Sequence, residues 1–177
     1  MKTLSKLIAI AITAISLFLT TNVKAQTTPA NALRFGIGID AGDPTSNLRL
    51  SSTFVLGGTA SLQYGLSNSF AITLTSGADH FFSKYIPGTT KRYDSFGIIP
   101  IQAGFKEFFT PNLYVAAESG VAIEETDAGT GKKKLILAPA LGYANEHWDV
   151  GVRYESLTGD NDNYGFVALR IAYGFKL

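Results

Sequence analysis

Residues 148–155, with the sequence WDVGVRYE, decide the fold, because large apolar side chains alternate there with small or charged ones. Alternation with a period of two is the pattern of a β-strand whose two faces meet different surroundings. Trp148, Val150 and Val152 share one face, whereas Arg153 and Glu155 lie in mid-strand on the other. The segment therefore predicts a strand with one strongly apolar face and one face of glycine and charge.

The same alternation recurs along the chain, and no stretch after Gln26 repeats apolar residues with a helical period over three turns. It predicts an all-β domain of eight strands with no linker inside it. The predicted strands are 32–41, 52–65, 69–80, 95–109, 113–124, 134–144, 148–157 and 164–177. Pro100 and Pro139 lie within two of them and predict a bulge or a strand start, since proline cannot donate to the ladder.

The connections between these strands alternate between short and long. Tight turns are predicted at 66–68, 110–112 and 144–147, and longer polar segments at the other four connections, the longest being 81–94. In an antiparallel up-and-down arrangement, all short turns then fall at one end of the sheet and all long loops at the other. Both ends of the predicted domain, residues 26–177, join the short-turn end.

The composition indicates where the apolar faces point. The chain is 46% hydrophobic but only 16% charged, against roughly 25% charged in ordinary soluble domains. A membrane barrel directs its apolar residues outward and keeps a polar interior, and small residues suit a narrow lumen. We therefore predict an eight-stranded antiparallel up-and-down transmembrane β-barrel, whose interior is just filled by side chains.

Charged residues on the inward face form the candidate site, and they are Arg34, Lys106, Glu118, Arg153, Glu155 and Arg170. Asp40 and Asp149 are available to balance their charge. Buried charges are tolerated when they are paired, so we predict a structural network of salt bridges in the lumen. The alternative is a set of charges that lines an ion path.

Aromatic residues collect near the strand ends, where membrane barrels carry interfacial girdles. The girdle predicted at the short-turn end consists of Tyr64, Phe70, Phe109, Tyr143, Trp148 and Phe175. The one predicted at the long-loop end consists of Phe81, Phe82, Tyr85, Tyr93, Phe96, Tyr154 and Tyr164.

Residues 1–25 have the layout of a cleaved secretory signal peptide. Lys2 and Lys6 precede the apolar run from Leu7 to Thr20, and Val23-Lys24-Ala25 has small residues before a cut ahead of Gln26. The run has 14 residues, fewer than the roughly 17–25 that a spanning helix needs. Without this segment, 12 basic and 14 acidic residues leave a net charge of −2, which gives no basic footprint for nucleic acid.

Across residues 26–177 the chain resembles the small outer-membrane β-barrel proteins of diderm bacteria, known as the porin-family or outer-membrane β-barrel domain proteins. The resemblance lies in IPIQAGFK at 99–106, TPNLYVAAE at 110–118, WDVGVRYE at 148–155 and LRIAYGFKL at 169–177. It implies location in the outer membrane and a structural, adhesive or narrow-conductance role. It also implies that the last strand, with Tyr173 and Phe175, is recognised by the barrel-assembly machinery.

Catalytic chemistry has few candidates in this sequence. His80 and His147 are the two histidines, and the predicted topology places them at opposite ends of the barrel. Lipid A deacylases, which are barrels of the same type, carry a His and a Ser two residues apart on the strand that corresponds to 153–158, where this chain has no His. We predict no enzymatic activity, no catalytic residue, no cofactor and no metal.

Basic residues in the predicted loops suggest a partner outside the cell. Lys84, Lys91, Arg92 and Lys132–Lys134 are predicted to contact the anionic phosphates of lipopolysaccharide. Two other functions stay open. A secreted soluble β-barrel would bind a small apolar ligand in its lumen and would need the apolar face to point inward. A lipid-modifying barrel enzyme would need a catalytic His at the membrane, and His80 alone is placed for that.

Overall fold

The computed structural model describes residues 28–126, 129–159 and 162–177, so the predicted signal peptide lies outside the described residues. The described chain is a closed antiparallel barrel in which each strand pairs with its neighbour in sequence and β1 pairs with β8. The strands are β1 (Leu33–Thr45), β2 (Ser52–Gly65), β3 (Phe70–Ser83), β4 (Phe96–Phe108), β5 (Leu113–Thr126), β6 (Gly129–Ala144), β7 (Trp148–Thr158) and β8 (Tyr164–Lys176). This confirms the predicted fold class.

One short helix, α1 (Leu48–Ser51), lies between β1 and β2. Within the described ranges, no helix has the length and apolar character needed to cross a membrane. The Leu48 side chain of α1 is buried at the long-loop end of the barrel.

The predicted and observed strands agree at the short-turn end and differ at the long-loop end. β1 continues to Thr45, and β6 begins at Gly129 rather than at residue 134. Because Thr126 pairs with Gly129, only residues 127–128 connect β5 and β6, and the long polar loop predicted there is wrong. Backbone pairing does not depend on apolar side chains, so this hairpin extends beyond the alternating pattern.

Both prolines interrupt the ladder without shifting its register. Between β3 and β4 the pairs Ser76↔Ile101 and Asp79↔Ile98 stand on either side of Pro100, with no pairing at the two positions between them. The β6–β7 ladder has the same interruption beside Pro139. The predicted bulges are therefore wrong, and the missing proline N–H leaves a gap in the hydrogen bonding instead.

Burial alternates along the strands in the sense that the sequence predicts. In β1, Arg34 and Asp40 are buried, whereas Ile37 and Ile39 are 54% and 58% exposed. The same holds around the barrel, where the large exposed side chains of the strand centres include Leu74, Leu137, Leu141, Val152 and Leu169. The charged face points into the lumen and the apolar face points outward.

Candidate functional site

The centre of the lumen holds an ion cluster around Arg153, which β7 directs inward. One terminal nitrogen of Arg153 donates to Glu118 Oε2 at 3.2 Å and to Gln102 Oε1 at 3.0 Å, and its Nε lies 2.9 Å from Glu155 Oε1. Thr75 Oγ1 donates to the other oxygen of Glu118 at 2.8 Å. All of these side chains are buried, so strands β3, β4, β5 and β7 are joined across the lumen by charge-assisted contacts.

A second ion pair lies nearer the short-turn end, where Lys106 of β4 pairs with Asp149 of β7. Tyr114 donates its hydroxyl to the other oxygen of Asp149 at 2.6 Å, and Lys106 Nζ lies 4.1 Å from the centre of the Tyr114 ring. Glycines make room for this ring. A Cβ on Gly142 would lie 2.5 Å from it, and one on Gly151 would lie 2.7 Å from its hydroxyl.

Arg34 and Arg170 lie in the lumen but are placed differently from the other four predicted residues. Within the described chain neither guanidinium has a carboxylate within 4.0 Å. Both terminal nitrogens of Arg34 and the Nε of Arg170 are buried without a hydrogen-bond partner, as are both carboxylate oxygens of Asp40. The predicted site residues thus divide into two paired groups and two unpaired arginines.

A third ion group closes the lumen near the long-loop end, and the sequence prediction missed it. Lys134 is 1% exposed, donates to the carbonyl of Asp162 and has carboxylate oxygens of Glu124 and Asp162 each at 3.7 Å. Tyr164 donates its hydroxyl to Glu124, and its ring lies 4.7 Å from Lys134 Nζ. The assignment of Lys134 to an exposed basic surface is wrong, because it shares the inward face of β6 with buried Ile136.

The sequence prediction did not assign Asp79, Glu124 and Lys134 to the lumen. The signal that could have done so is parity, meaning whether a residue is an even or odd number of positions from an inward-facing residue on its strand. Asp79 and Thr75 are an even number of positions apart on β3, and both are buried in the lumen. Glu124 is likewise an even number of positions from Glu118 on β5. The predicted strands 69–80 and 113–124 contain Asp79 and Glu124, but the sequence prediction does not carry the alternation as far as these two residues.

Next to the third ion group, an apolar plug fills part of the long-loop end of the lumen. Phe81 and Phe166 are fully buried with ring centres 5.4 Å apart, and Phe96 stacks on Phe81 at 4.5 Å. Leu48 of α1 packs against the same cluster. Phe81, Phe96 and Tyr164 were predicted in the outer aromatic girdle, and that assignment is wrong because Phe81 and Tyr164 lie on inward-facing strand positions and Phe96 packs against them.

The two histidines lie at opposite ends of the barrel. His80 is exposed near the long-loop end of β3, where its ring lies against Phe82, and His147 belongs to the β6–β7 turn at the other end. In the described ranges, no group of three or more His, Cys, Asp or Glu residues could hold a metal ion.

The outer surface of the barrel carries exposed leucine, isoleucine or valine side chains on every strand. Soluble monomers rarely expose contiguous apolar patches larger than a few hundred Å², whereas a lipid-facing surface requires them. A soluble barrel that binds an apolar ligand would need this face in the lumen, and the structure places it outside. Trp148, Tyr143 and Phe175 are exposed at the short-turn end, as a membrane-interface girdle requires.

Comparison with known proteins shows the fold. No protein-family model matches the chain, and no curated protein matches its sequence. Among solved structures, the attachment invasion locus protein Ail of Yersinia pestis is similar at 13% identity with a TM-score of 0.57, over 82% of this chain and 99% of that one. The N-terminal β-barrel domain of Pseudomonas aeruginosa OprF is similar at 14% identity and a TM-score of 0.57, over 82% and 98%. Neisserial surface protein A is similar at 15% identity and a TM-score of 0.51, over the same shares.

These neighbours are small barrels, and two of them are named as surface or attachment proteins. At such low identity they establish the shared architecture alone. Together with the apolar outer belt, they show that this chain has the fold of an outer-membrane β-barrel.

Proposed function

We propose that the protein is an integral outer-membrane barrel with a structural or adhesive role, a lumen closed by side chains, and loops that contact lipopolysaccharide. The observation that carries the proposal is the inversion of polarity, with ion pairs buried inside and exposed aliphatic side chains outside. A charged side chain at the bilayer centre costs about 2–4 kcal/mol on the lipid face of a barrel. This sequence directs its strand-centre charges into the lumen, where they avoid that cost.

The filled lumen supports a structural role over solute transport. Phe81, Phe166 and Leu48 close the long-loop end, and the Arg153 ion cluster occupies the centre. Eight-stranded barrels have an interior just wide enough for side chains to fill. We therefore expect at most a narrow conductance, measured as small single-channel currents in a planar bilayer.

The loops supply the surface for a partner. Lys91, Arg92, Lys132 and Lys133 are exposed at the long-loop end, and the guanidinium of Arg92 lies 4.4 Å from the Tyr85 ring centre. Lysine and arginine side chains of this kind bind phosphate groups through charge-assisted hydrogen bonds. In an outer membrane, the phosphates next to these loops belong to lipopolysaccharide.

Two further expectations complete the proposal. A non-catalytic role is supported by the separation of His80 and His147, because a base and its nucleophile must lie within hydrogen-bonding reach. Engagement of β8 by the barrel-assembly machinery is supported by Tyr173 and Phe175, which present aromatic rings on its outward face.

Cell fractionation tests the location. The full chain should be recovered in the outer-membrane fraction and should migrate differently on gels before and after heating. In refolded protein, emission from Trp148, the single tryptophan, should shift to the blue in lipid and should be quenched by brominated lipids. Recovery as a soluble periplasmic protein would refute the proposal.

Lipopolysaccharide contact is tested with the quadruple variant K91Q/R92Q/K132Q/K133Q. Binding to lipopolysaccharide micelles should fall, and dephosphorylated lipopolysaccharide should bind the parent protein equally weakly. Lys176→Gln is the control, since Lys176 is 57% exposed at the opposite end of the barrel, and it should bind like the parent. Equal binding by the quadruple variant and the parent would exclude these residues as the contact.

A further inference from the structure

A small polar chamber occupies the half of the lumen nearer the short-turn end. Its volume is about 50 Å³, which is room for a few water molecules. Arg34 near the start of β1, Asp149 near the start of β7 and Lys106 near the end of β4 all line it. These positions place the chamber between the central ion cluster and the short-turn end.

The charges that line this chamber do not balance. Four cationic side chains, Arg34, Lys106, Arg153 and Arg170, face it together with two carboxylates, Glu118 and Asp149. The other described lumen carboxylates, Asp40, Asp79, Glu124 and Glu155, do not line it. Two positive charges are thus in excess in the chamber lining. Asp40 stands opposite Arg170 in the β1–β8 ladder but forms no ion pair with it within 4.0 Å.

The excess belongs to two particular arginines. Lys106 is neutralised by Asp149, and Arg153 by Glu118 and Glu155. Arg34 is only 4% exposed, and its two terminal nitrogens are buried without a hydrogen-bond partner, as is Nε of Arg170. Buried charges in proteins are normally paired, and an unpaired group points to a water or ion that satisfies it.

A glycine in β8 leaves the space that the Arg34 guanidinium occupies. A Cβ on Gly174 would lie 1.9 Å from Arg34 Nε, so only glycine at that position lets the guanidinium lie along the wall of β8. Gly36, Ser61 and Thr73 also line the chamber. A planar guanidinium beside hydroxyl groups is suited to an oxyanion or a halide.

We propose that this chamber binds a small inorganic anion of the size of chloride or phosphate, held by Arg34 and Arg170. The anion supplies the negatively charged partner that these two guanidinium groups lack within 4.0 Å in the described chain. This site is separate from the proposed lipopolysaccharide contact, which uses exposed residues at the opposite end of the barrel. It also does not depend on where the protein resides.

The test uses the full chain refolded in neutral vesicles free of lipopolysaccharide, at constant ionic strength maintained with gluconate, which is too large for the chamber. Inorganic phosphate and chloride are titrated separately, and the thermal midpoint of unfolding is followed. A ligand that binds only the folded state raises this midpoint with its concentration. We expect at least one of the two anions to do so, and to shift the Arg34 Nε–H resonance in NMR spectra.

The Arg34→Gln and Arg170→Gln variants assign the site. Each should weaken the anion response by roughly tenfold or more, whereas Arg49→Gln should respond like the parent, because Arg49 is exposed and pairs with Asp43. If Arg34→Gln does not fold, Arg34→Lys keeps the charge without the planar fork and should bind more weakly than the parent. No response of the parent to either anion, or an unchanged response in both glutamine variants, would overturn the proposal.

Discussion

Replacing Glu118 by alanine removes the carboxylate on which the central ion cluster depends. Glu118 accepts from Arg153 at 3.2 Å and from Thr75 at 2.8 Å, and it is 7% exposed. The change leaves Arg153 with Glu155 at 2.9 Å and Gln102 at 3.0 Å as its remaining contacts. The barrel should therefore lose stability without losing its fold.

The magnitude follows from these contacts. Removing one partner of a buried ion pair costs about 3–5 kcal/mol, because the other charge is left uncompensated. Since Arg153 keeps Glu155, we expect the lower end, about 3 kcal/mol. Glu118→Gln retains an acceptor for Thr75 and should lose about 1.5–3 kcal/mol, the usual contribution of a hydrogen bond to a charged group.

Urea unfolding of the refolded barrel, followed by gel migration and by the fluorescence of Trp148, measures these differences. Asp43→Ala is the matched control, because its ion pair with Arg49 is 59% and 66% exposed, and exposed pairs contribute about 0–1 kcal/mol. A loss for Glu118→Ala no larger than that of the control would refute the stabilising role of the cluster. The lumen charges would then be better explained as the lining of an ion path.

Three other perturbations follow from the structure. Gly151→Ala places a Cβ 2.7 Å from the Tyr114 hydroxyl and should lower the free energy of unfolding in urea by about 1–3 kcal/mol. Gly58→Ala, which meets open space, should be near neutral, and equal effects of the two variants would contradict this packing. Leu169→Arg puts a charge on the lipid face and should cost about 2–4 kcal/mol in lipid, seen as weaker folding into vesicles, and normal folding would argue against a lipid-facing β8. The pKa of Glu146 is lowered by the hydrogen bond and charge of Lys176 at 3.0 Å. Their pairing should stabilise the barrel at pH values above the ordinary glutamate pKa, and this stability should be lost as the pH falls through the lowered pKa. Glu146→Gln should remove this contribution to the pH dependence of the free energy of unfolding.

Much of the fold can be predicted from the sequence because the period of two is local information. In WDVGVRYE the parity of each residue assigns its face, and the same parity places Arg34, Lys106, Glu118, Arg153, Glu155 and Arg170 in the lumen where the structure has them. The structural role of these residues stays a prediction that the Glu118 variants test.

The sequence prediction failed where local patterns meet the ends of strands. Lys134 follows Lys132 and Lys133 in what reads as a basic loop, yet the β5–β6 hairpin extends to Gly129 and turns Lys134 into the lumen. Phe81 likewise reads as a girdle residue, because aromatics at strand ends are common in barrels. Backbone pairing decides how far a hairpin continues, whereas strand parity, when it is continued to these strand ends, places Lys134 and Phe81 inward.

The sequence by itself determined the fold class, the strand order and the outward direction of the apolar faces, because each follows from alternation and from the lengths of most turns. Only the tertiary structure decided which lumen charges meet. Partners such as Glu118 and Arg153 lie 35 positions apart in the chain and on strands that are not neighbours. Their pairing depends on barrel closure and on the space that glycines leave. In the described chain, the same closure leaves Arg34 and Arg170 without a carboxylate within 4.0 Å and forms the chamber that we propose for an anion.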